Sequence, residues 1–362
     1  MNTAVFKRSQ EHHRQYRELY ATVQECLRSL PKDRERVKHY FAVGMPAFYL
    51  GCYLMALYGA SHPAVFLAGF AMMGVVSVLM FINLIHDAVH HHIFRRKSYN
   101  EAYLLLFDLM GGNSFIWKKR HLLLHHNFQN IAGLDADIEQ AGPVKIFPHL
   151  SGKKIHRYQH LFVFLLYPLF LFNWIFVRDF RDFYSKKRTI RRFCDIPRQE
   201  YLKLLVFKGV FYGYVFVLPI LMGIPLGQVA AGVASLMLVG STVAMLSLLT
   251  PHANSANSFP VADRDGNIPV TWLEHQFLTT NDLKGDSWFT RHVMGNFNYH
   301  LAHHLFPGFH SSYAPEITQC IRDFAARYGY PYKRYGLATC LRYHYRLIRQ
   351  NAGVLDIFED DM

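Results

Sequence analysis

The sequence predicts an all-α integral membrane protein, with four transmembrane helices in two hairpins, interfacial helices and a cytosolic helical cap. Three observations carry this: apolar runs close to the ~20 residues that cross a bilayer core, helix breakers in the short turns between paired runs, and basic residues at their flanks. The chain has 362 residues, 51% hydrophobic, 15% aromatic and 18% charged. Mean hydropathy is near zero. A disordered or collagen-like chain is excluded.

Residues 1–39 are basic and lack the apolar core of a signal peptide, so the first span is expected to act as the insertion signal. Two apolar runs follow, Tyr40–Tyr58 and Ala64–Ile85, separated by a turn containing Gly59 and Pro63. Leu205–Met222 and Leu226–Leu249, joined through Gly223, Ile224 and Pro225, predict the second hairpin. Gly227, Gly232, Ser235, Gly240 and Ser241 give the last span the small residues that let membrane helices approach closely.

A fifth run, His160–Val177, is long enough to cross but carries Pro168 and Asn173 and ends in a basic segment. Lys and Arg number nine in residues 1–39, ten in 86–159, nine in 178–204 and none in either hairpin turn. The positive-inside bias places all three basic segments in the cytoplasm, which makes His160–Val177 interfacial or re-entrant. Six spans arise only if Leu104–Trp117 also enters the bilayer. Lys208 then lies at the cytoplasmic end of its span, where its stem snorkels.

Three units follow: the basic segment 1–39, a membrane domain 40–315, and a C-terminal cap and tail 316–362. The last contains two stretches with apolar residues at helical spacing and an acidic end, DIFEDDM, expected to be solvated. The net charge of +13 lies beside apolar segments, so lipid rather than nucleic acid is the expected partner. Five cysteines form no C-x-x-C pair, which indicates neither a disulfide framework nor a built-in iron–sulfur cluster.

Of 22 histidines, ten fall in three clusters: His86, His90, His91 and His92; His121, His125 and His126; His300, His303 and His304. On a helix, residues three or four apart share a face, so His86 with His90, His121 with His125, and His300 with His303 or His304 are each spaced to clasp one ion. Imidazole suits iron, zinc, copper or nickel alike. Eight or nine imidazoles exceed what one zinc needs and suggest two metal ions.

HDAVH, HLLLHH and HLAHHLFP resemble, in order and placement, the three histidine boxes of the membrane fatty-acid desaturase superfamily. The likeness runs from about Phe81 to Pro315, and the segment from Trp117 to Glu139 resembles bacterial acyl desaturases of the linoleoyl-CoA type. The resemblance implies a non-haem di-iron centre on the cytosolic side that uses dioxygen to place a double bond in an acyl chain. The implied ligands are His86, His90, His121, His125, His126, His300, His303 and His304, with His252 at the place of a further ligand after the last span. His90 is preferred over His91 for its helical register, and His92 reads as surface or support.

Front-end desaturases usually carry Gln where this chain has His300, which weakens that regiochemistry. No HPGG haem motif is present, so the resemblance implies a separate electron donor such as a ferredoxin system, docking on a basic face. The substrate would be linked to lipid, CoA or acyl-carrier protein. Asp87, Asn127, Asp135, Asp137, Asn296 and Asn298 are candidates to orient the imidazoles. Trp117 with Lys118, Lys119 and Arg120, and the run Lys186 to Arg192, are headgroup anchors or contacts for a carrier's phosphates. The remaining histidines (His12, His13, His39, His62, His149, His156, His160, His275, His292, His310 and His344) read as surface or interfacial. Hydroxylation, ketolation or acetylenation would use the same centre. A zinc transporter or sensor is the non-enzymatic alternative.

Overall fold

A computed structural model describes residues 4–139 and 142–353. Five helices are long and apolar enough to cross a membrane, one more than the four expected spans. α1 (Gln10–Arg28) starts at Ser9, whose hydroxyl accepts from His12 N at 3.2 Å. α2 (Asp33–Tyr58) and α3 (Pro63–Val89) form the first hairpin, with Pro63 at the first helical turn, where its missing N–H costs nothing. Two short helices, α4 (Lys97–Tyr103) and α5 (Leu105–Leu109), precede α6 (114–128). Leu104–Trp117 is therefore no span: Gly111, at φ 88°, breaks it after α5.

α7 (Lys154–Phe193) is the fifth apolar helix. It bends through a 3-10 turn at Tyr167–Leu169, where Pro168 lacks a donor, and is interrupted at 185–188. Gln159 near its start donates to Ile348 O (2.7 Å), Tyr167 bonds His344, and Arg178 near its far end donates to Ala136 O (2.6 Å). Both ends thus meet the polar layer that carries the histidines. Its middle touches α9 (Leu226–Leu248), where Leu171 N donates to Ser241 Oγ at 2.9 Å.

α8 (Arg198–Leu221) and α9 form the second hairpin. α3 and α9 touch backbone to backbone, because a Cβ on Gly74 would stand 2.3 Å from Leu236 O, and one on Gly240 2.9 Å from Gly74 O. Gly232 makes room for the Phe66 ring, and Ser235 donates to Leu67 O, whereas Gly227 faces open space. Gly74→Leu is expected to lose about 1–3 kcal/mol through overpacking, with Gly227→Leu near neutral. Thermal unfolding in detergent checks the pair, and equal midpoints would contradict the packing.

Lys208 does not snorkel. It is buried in α8 and donates to Asp179 of α7 (2.8 Å) and to the carbonyls of Gly111 and Ile175 (2.6 Å each). A counter-charge inside the bundle replaces the water its ammonium would otherwise seek.

The polar layer packs α1 against α10 (Trp272–Thr279), α11 (His300–Leu305) and α12 (Ala314–Tyr328) around Leu19, Val23, Leu301, Ile317 and Ile321. The basic N-terminal segment is therefore a packed element of this layer, joined by α13 (Leu337–Asn351). Two parallel bridges pin its loops: β1 (Val5–Phe6) on β2 (Asn267–Ile268), and β3 (Asp282–Leu283) on β4 (Arg334–Tyr335). The DIFEDDM end lies outside the described residues.

Candidate metal centre

α3 closes with a π-turn, Phe81–Ile85, that delivers His86 and, one turn on, His90. His91 then takes a left-handed conformation (φ 63°) and points away, 3.8 Å from Glu101. His90 is thereby the one that stands beside His86. His92 packs on His310, with ring centroids 5.6 Å apart.

In α6 residues 120–125 also form a π-turn, which adds a pairing that α-helical spacing does not offer. The wider turn brings positions five apart together, so the Nε2 atoms of His121 and His126 are 3.0 Å apart. His121 and His125 fall into different groups of four, yet together with Asp137 they also form a group of three, so the expected pairing holds as well. α11 is a plain α-turn, and there His300 and His304 pair, with Nε2 atoms 3.2 Å apart. His252, just beyond α9, brings its Nε2 to 3.0 Å from that of His304.

Two groups of four result, beside the smaller one with Asp137: His86, His90, His121 and His303; and His125, His252, His300 and His304. Within each, one ring nitrogen or more per residue lies within 4.8 Å of the others. His126 sits between them, its ring 4.5 Å from that of His303 and 4.8 Å from that of His304. All nine expected imidazoles are gathered in one place.

The donor set fits metal ions. Nδ1 of His125 is 3.1 Å from Asp135, Nδ1 of His121 is 3.3 Å from Asp137, and Nδ1 of His252 is 3.0 Å from Thr279 O. With the proton on Nδ1, the Nε2 lone pair of each faces inward. Nε2 of His86, His90 and His303 is buried with no hydrogen-bond partner. Bare lone pairs converging in a buried space need an electrophile, and a cation supplies one. Burial drives the imidazole pKa down to about 4 at His121 and about 3 at His252. Burial, then the neighbouring imidazoles, hold His126, His300, His303 and His304 well below the usual range. At His125 burial acts the same way, but Asp135 outweighs it and raises the value.

The carboxylates are themselves held. Asp135 accepts from the backbone N–H of Asn130 (2.9 Å) and Asp137 (3.0 Å). Asp137 pairs with Arg120, which is fully enclosed and also donates to Asp182 (2.7 Å), while Arg188 donates to Asp182 at 2.6 Å. Arg120 is thus no contact for a carrier's phosphates. Asp87 takes Lys38 and the Ser311 hydroxyl and lies 3.8 Å from His86 Nδ1. Asn127, Asn296 and Asn298 bond backbone carbonyls and orient no imidazole. Lys38, Asp182 and Thr279 went unnoticed in the sequence, and Arg120 and Arg188 were noticed only as headgroup or phosphate contacts.

Three histidines expected at the surface are buried: His156, which accepts from Lys153 N (2.9 Å), His275, enclosed beside Phe6, and His344, bonded to Tyr167 and Ala253 O. Trp117 is buried too, stacked on His121 at 5.2 Å, and Lys118 pairs with Glu101.

Residues 60–336 match the fatty acid desaturase family. The chain belongs to that family. It is similar to an sn-1 linoleoyl-lipid 6-desaturase of Synechocystis sp., 27% identical over 318 residues that cover 83% of this chain and 89% of the relative. An acyl-lipid (8-3)-desaturase of Physcomitrium patens is 27% identical over 307 residues, covering 83% of this chain and 64% of that protein. An acyl-lipid (8-3)-desaturase of Mortierella alpina is 28% identical over 265 residues, 72% of this chain and 59% of that protein. The chain thus spans less than two thirds of the Physcomitrium and Mortierella desaturases and most of the Synechocystis one. Family membership favours the desaturase reading over the transporter or sensor alternative.

Asp135→Asn is expected to weaken metal retention about 10–100-fold, because His125 loses the carboxylate charge that fixes its tautomer. Metal remaining after timed chelation checks this; wild-type retention would contradict it.

Proposed function

We propose that this desaturase family member is a membrane-bound, dioxygen-dependent acyl desaturase in which His86, His90, His121, His125, His126, His252, His300, His303 and His304 hold two iron ions. The observation that carries the proposal is the pair of buried four-histidine groups on either side of His126. Iron held there would supply the oxidising power to remove hydrogen from unactivated carbon once dioxygen and electrons arrive. The balance is R–CH2–CH2–R′ + O2 + 2 e− + 2 H+ → R–CH=CH–R′ + 2 H2O.

The chain's own residues hold and dry the substrate. A narrow apolar cleft between α3, α7 and α9 is lined by Phe81, Phe107, Trp174, Leu236 and Ala244. Phe81 packs on Trp117 (4.8 Å), which stacks on His121. An acyl chain in this cleft would be gripped by apolar contact, with water excluded, and led along Trp117 towards the histidines. The acyl-lipid names of the relatives support a lipid-linked substrate.

For topology, α2, α3, α8 and α9 are the four spans and α7 is re-entrant. The bonds from Gln159 and Arg178 to the histidine-bearing layer support this, and the positive-inside count supports a cytoplasmic centre. The Synechocystis relative is named for carbon 6, near the carboxyl end, whereas His300 argues against a front-end position.

Mass-spectrometric profiling of fatty acids from a bacterial host expressing the chain tests the proposal. A species two mass units lighter than its parent is expected, and derivatisation locates the new bond. A species sixteen units heavier would replace desaturation by hydroxylation.

A further inference from the structure

The polar layer has a second feature that the metal centre does not use. A concavity of about 860 Å³ opens beside the N-terminus of α1, reaching from β1 to the start of α10. Its rim carries Lys7, Arg8, Arg14 and Arg17, all exposed, and among the described residues none of them has an ion-pair partner. Glu11 on the same rim and Glu274 nearby, hydrogen-bonded to the neutral Gln15 and Thr271, offset part of this charge, and the four cations against two carboxylates leave the rim positive. Unpaired like charges around a concave surface raise its potential and attract an anionic partner.

The floor of this groove leads inward. Val5 N donates to Gly266 O (2.9 Å) and Lys7 N to Ile268 O (3.1 Å), which fixes the backbone that displays Lys7 and Arg8. Between them Phe6 stacks on Phe128 (centroids 5.7 Å apart, planes 8° apart) and packs on His275 at 5.1 Å. Phe128 belongs to α6, two residues beyond His126. Packed rings thus join the groove to the helix that carries His125 and His126. Lys7 and Arg8 lie between β1 and α1, and Arg14 and Arg17 in the first two turns of α1, a footprint suited to a protein surface more than to a single phosphate.

We infer that this groove is the docking surface for the electron donor, a small acidic one-electron carrier. The inference rests on the desaturase reading, in which each turnover consumes two electrons while the chain's cysteines show no cluster-binding pattern. Each docked carrier is oxidised by one electron. Two such events, with two protons and the two hydrogens leaving the acyl chain, complete the reduction of dioxygen to two waters.

The test is a titration of the full-length protein, in nanodiscs of neutral lipid, with a two-iron, two-sulfur ferredoxin as the acidic probe. Reversing all four charges (Lys7→Glu, Arg8→Glu, Arg14→Glu and Arg17→Glu) should raise the ferredoxin Kd at least about tenfold at low salt and flatten its salt dependence. Reversing Lys153 and Lys154, exposed at the start of α7, should leave the Kd unchanged, and single turnovers driven by dithionite should keep their rate in both variants. An unchanged Kd in the fourfold variant overturns the inference. So does a loss that tracks the anionic lipid content of the nanodisc, which reassigns the groove to headgroups. Because binding is read without product, ferredoxin binding through these cations in a chain that makes no alkene would overturn the desaturase reading and leave the docking surface in place.

Discussion

His303→Ala is expected to abolish desaturation while the chain still folds and inserts in the membrane. His303 stands in the first group of four, its ring 4.2 Å from that of His86, 4.8 Å from that of His90 and 4.5 Å from that of His126. Removing it leaves three donors and opens a polar gap in a space otherwise closed by imidazoles. Altering residues that merely support ligands costs 10–100-fold, so losing a ligand is expected to cost at least about 100-fold in product and to lower the iron bound. Folding is spared, because α11 is held by Leu301, Ala302 and Leu305 in the hydrophobic core. Fatty-acid profiles, membrane fractionation and iron content of the variant check this together. Full activity would remove His303 from the ligand set.

The second large effect is on stability. Arg120 is enclosed between Asp137 and Asp182, and its guanidinium lies over Trp174 at 5.1 Å. Arg120→Met would keep most of the volume and take one cation from each carboxylate, leaving Asp182 with Arg188 and Asp137 with His121. Breaking a buried pair by removing one member costs about 3–5 kcal/mol, since the remaining charge stays buried. Arg120→Lys should fall between, because an ammonium cannot reach both carboxylates with a planar fork. Thermal unfolding in detergent measures the order; an unshifted Arg120→Met would show that the network contributes nothing. His121 should also lose orientation, since Arg120 steadies the Asp137 that it bonds.

What the sequence disclosed and what it withheld divide along the range of the interactions. Apolar runs and breakers are local, so both hairpins were legible within a few residues, as was the spacing that gathered the histidines. Asp135 and Asp137 were legible because imidazoles need carboxylates nearby in the chain. The approach of His126 to His121 was not, because a π-turn leaves no mark in residue identity and spacing arguments assume the α period. The pairs Lys38 with Asp87, Arg120 with Asp182 and Lys208 with Asp179 join residues 49, 62 and 29 positions apart. Each cation sits beside an apolar segment, where headgroup anchoring is the simpler expectation. Packing of the basic N-terminus against α12 was hidden for the same reason, since its charges masked the stripe formed by Leu19 and Val23.

The claim at the centre of this account is that nine histidines hold two irons in one buried site. Metal analysis of protein purified from iron-replete cells tests it most directly, with the same measurement on His303→Ala and His304→Ala, one from each group. Two irons per chain in the wild type and a reduced content in each variant are predicted. Zinc in place of iron, or iron content unaffected by either substitution, would contradict it.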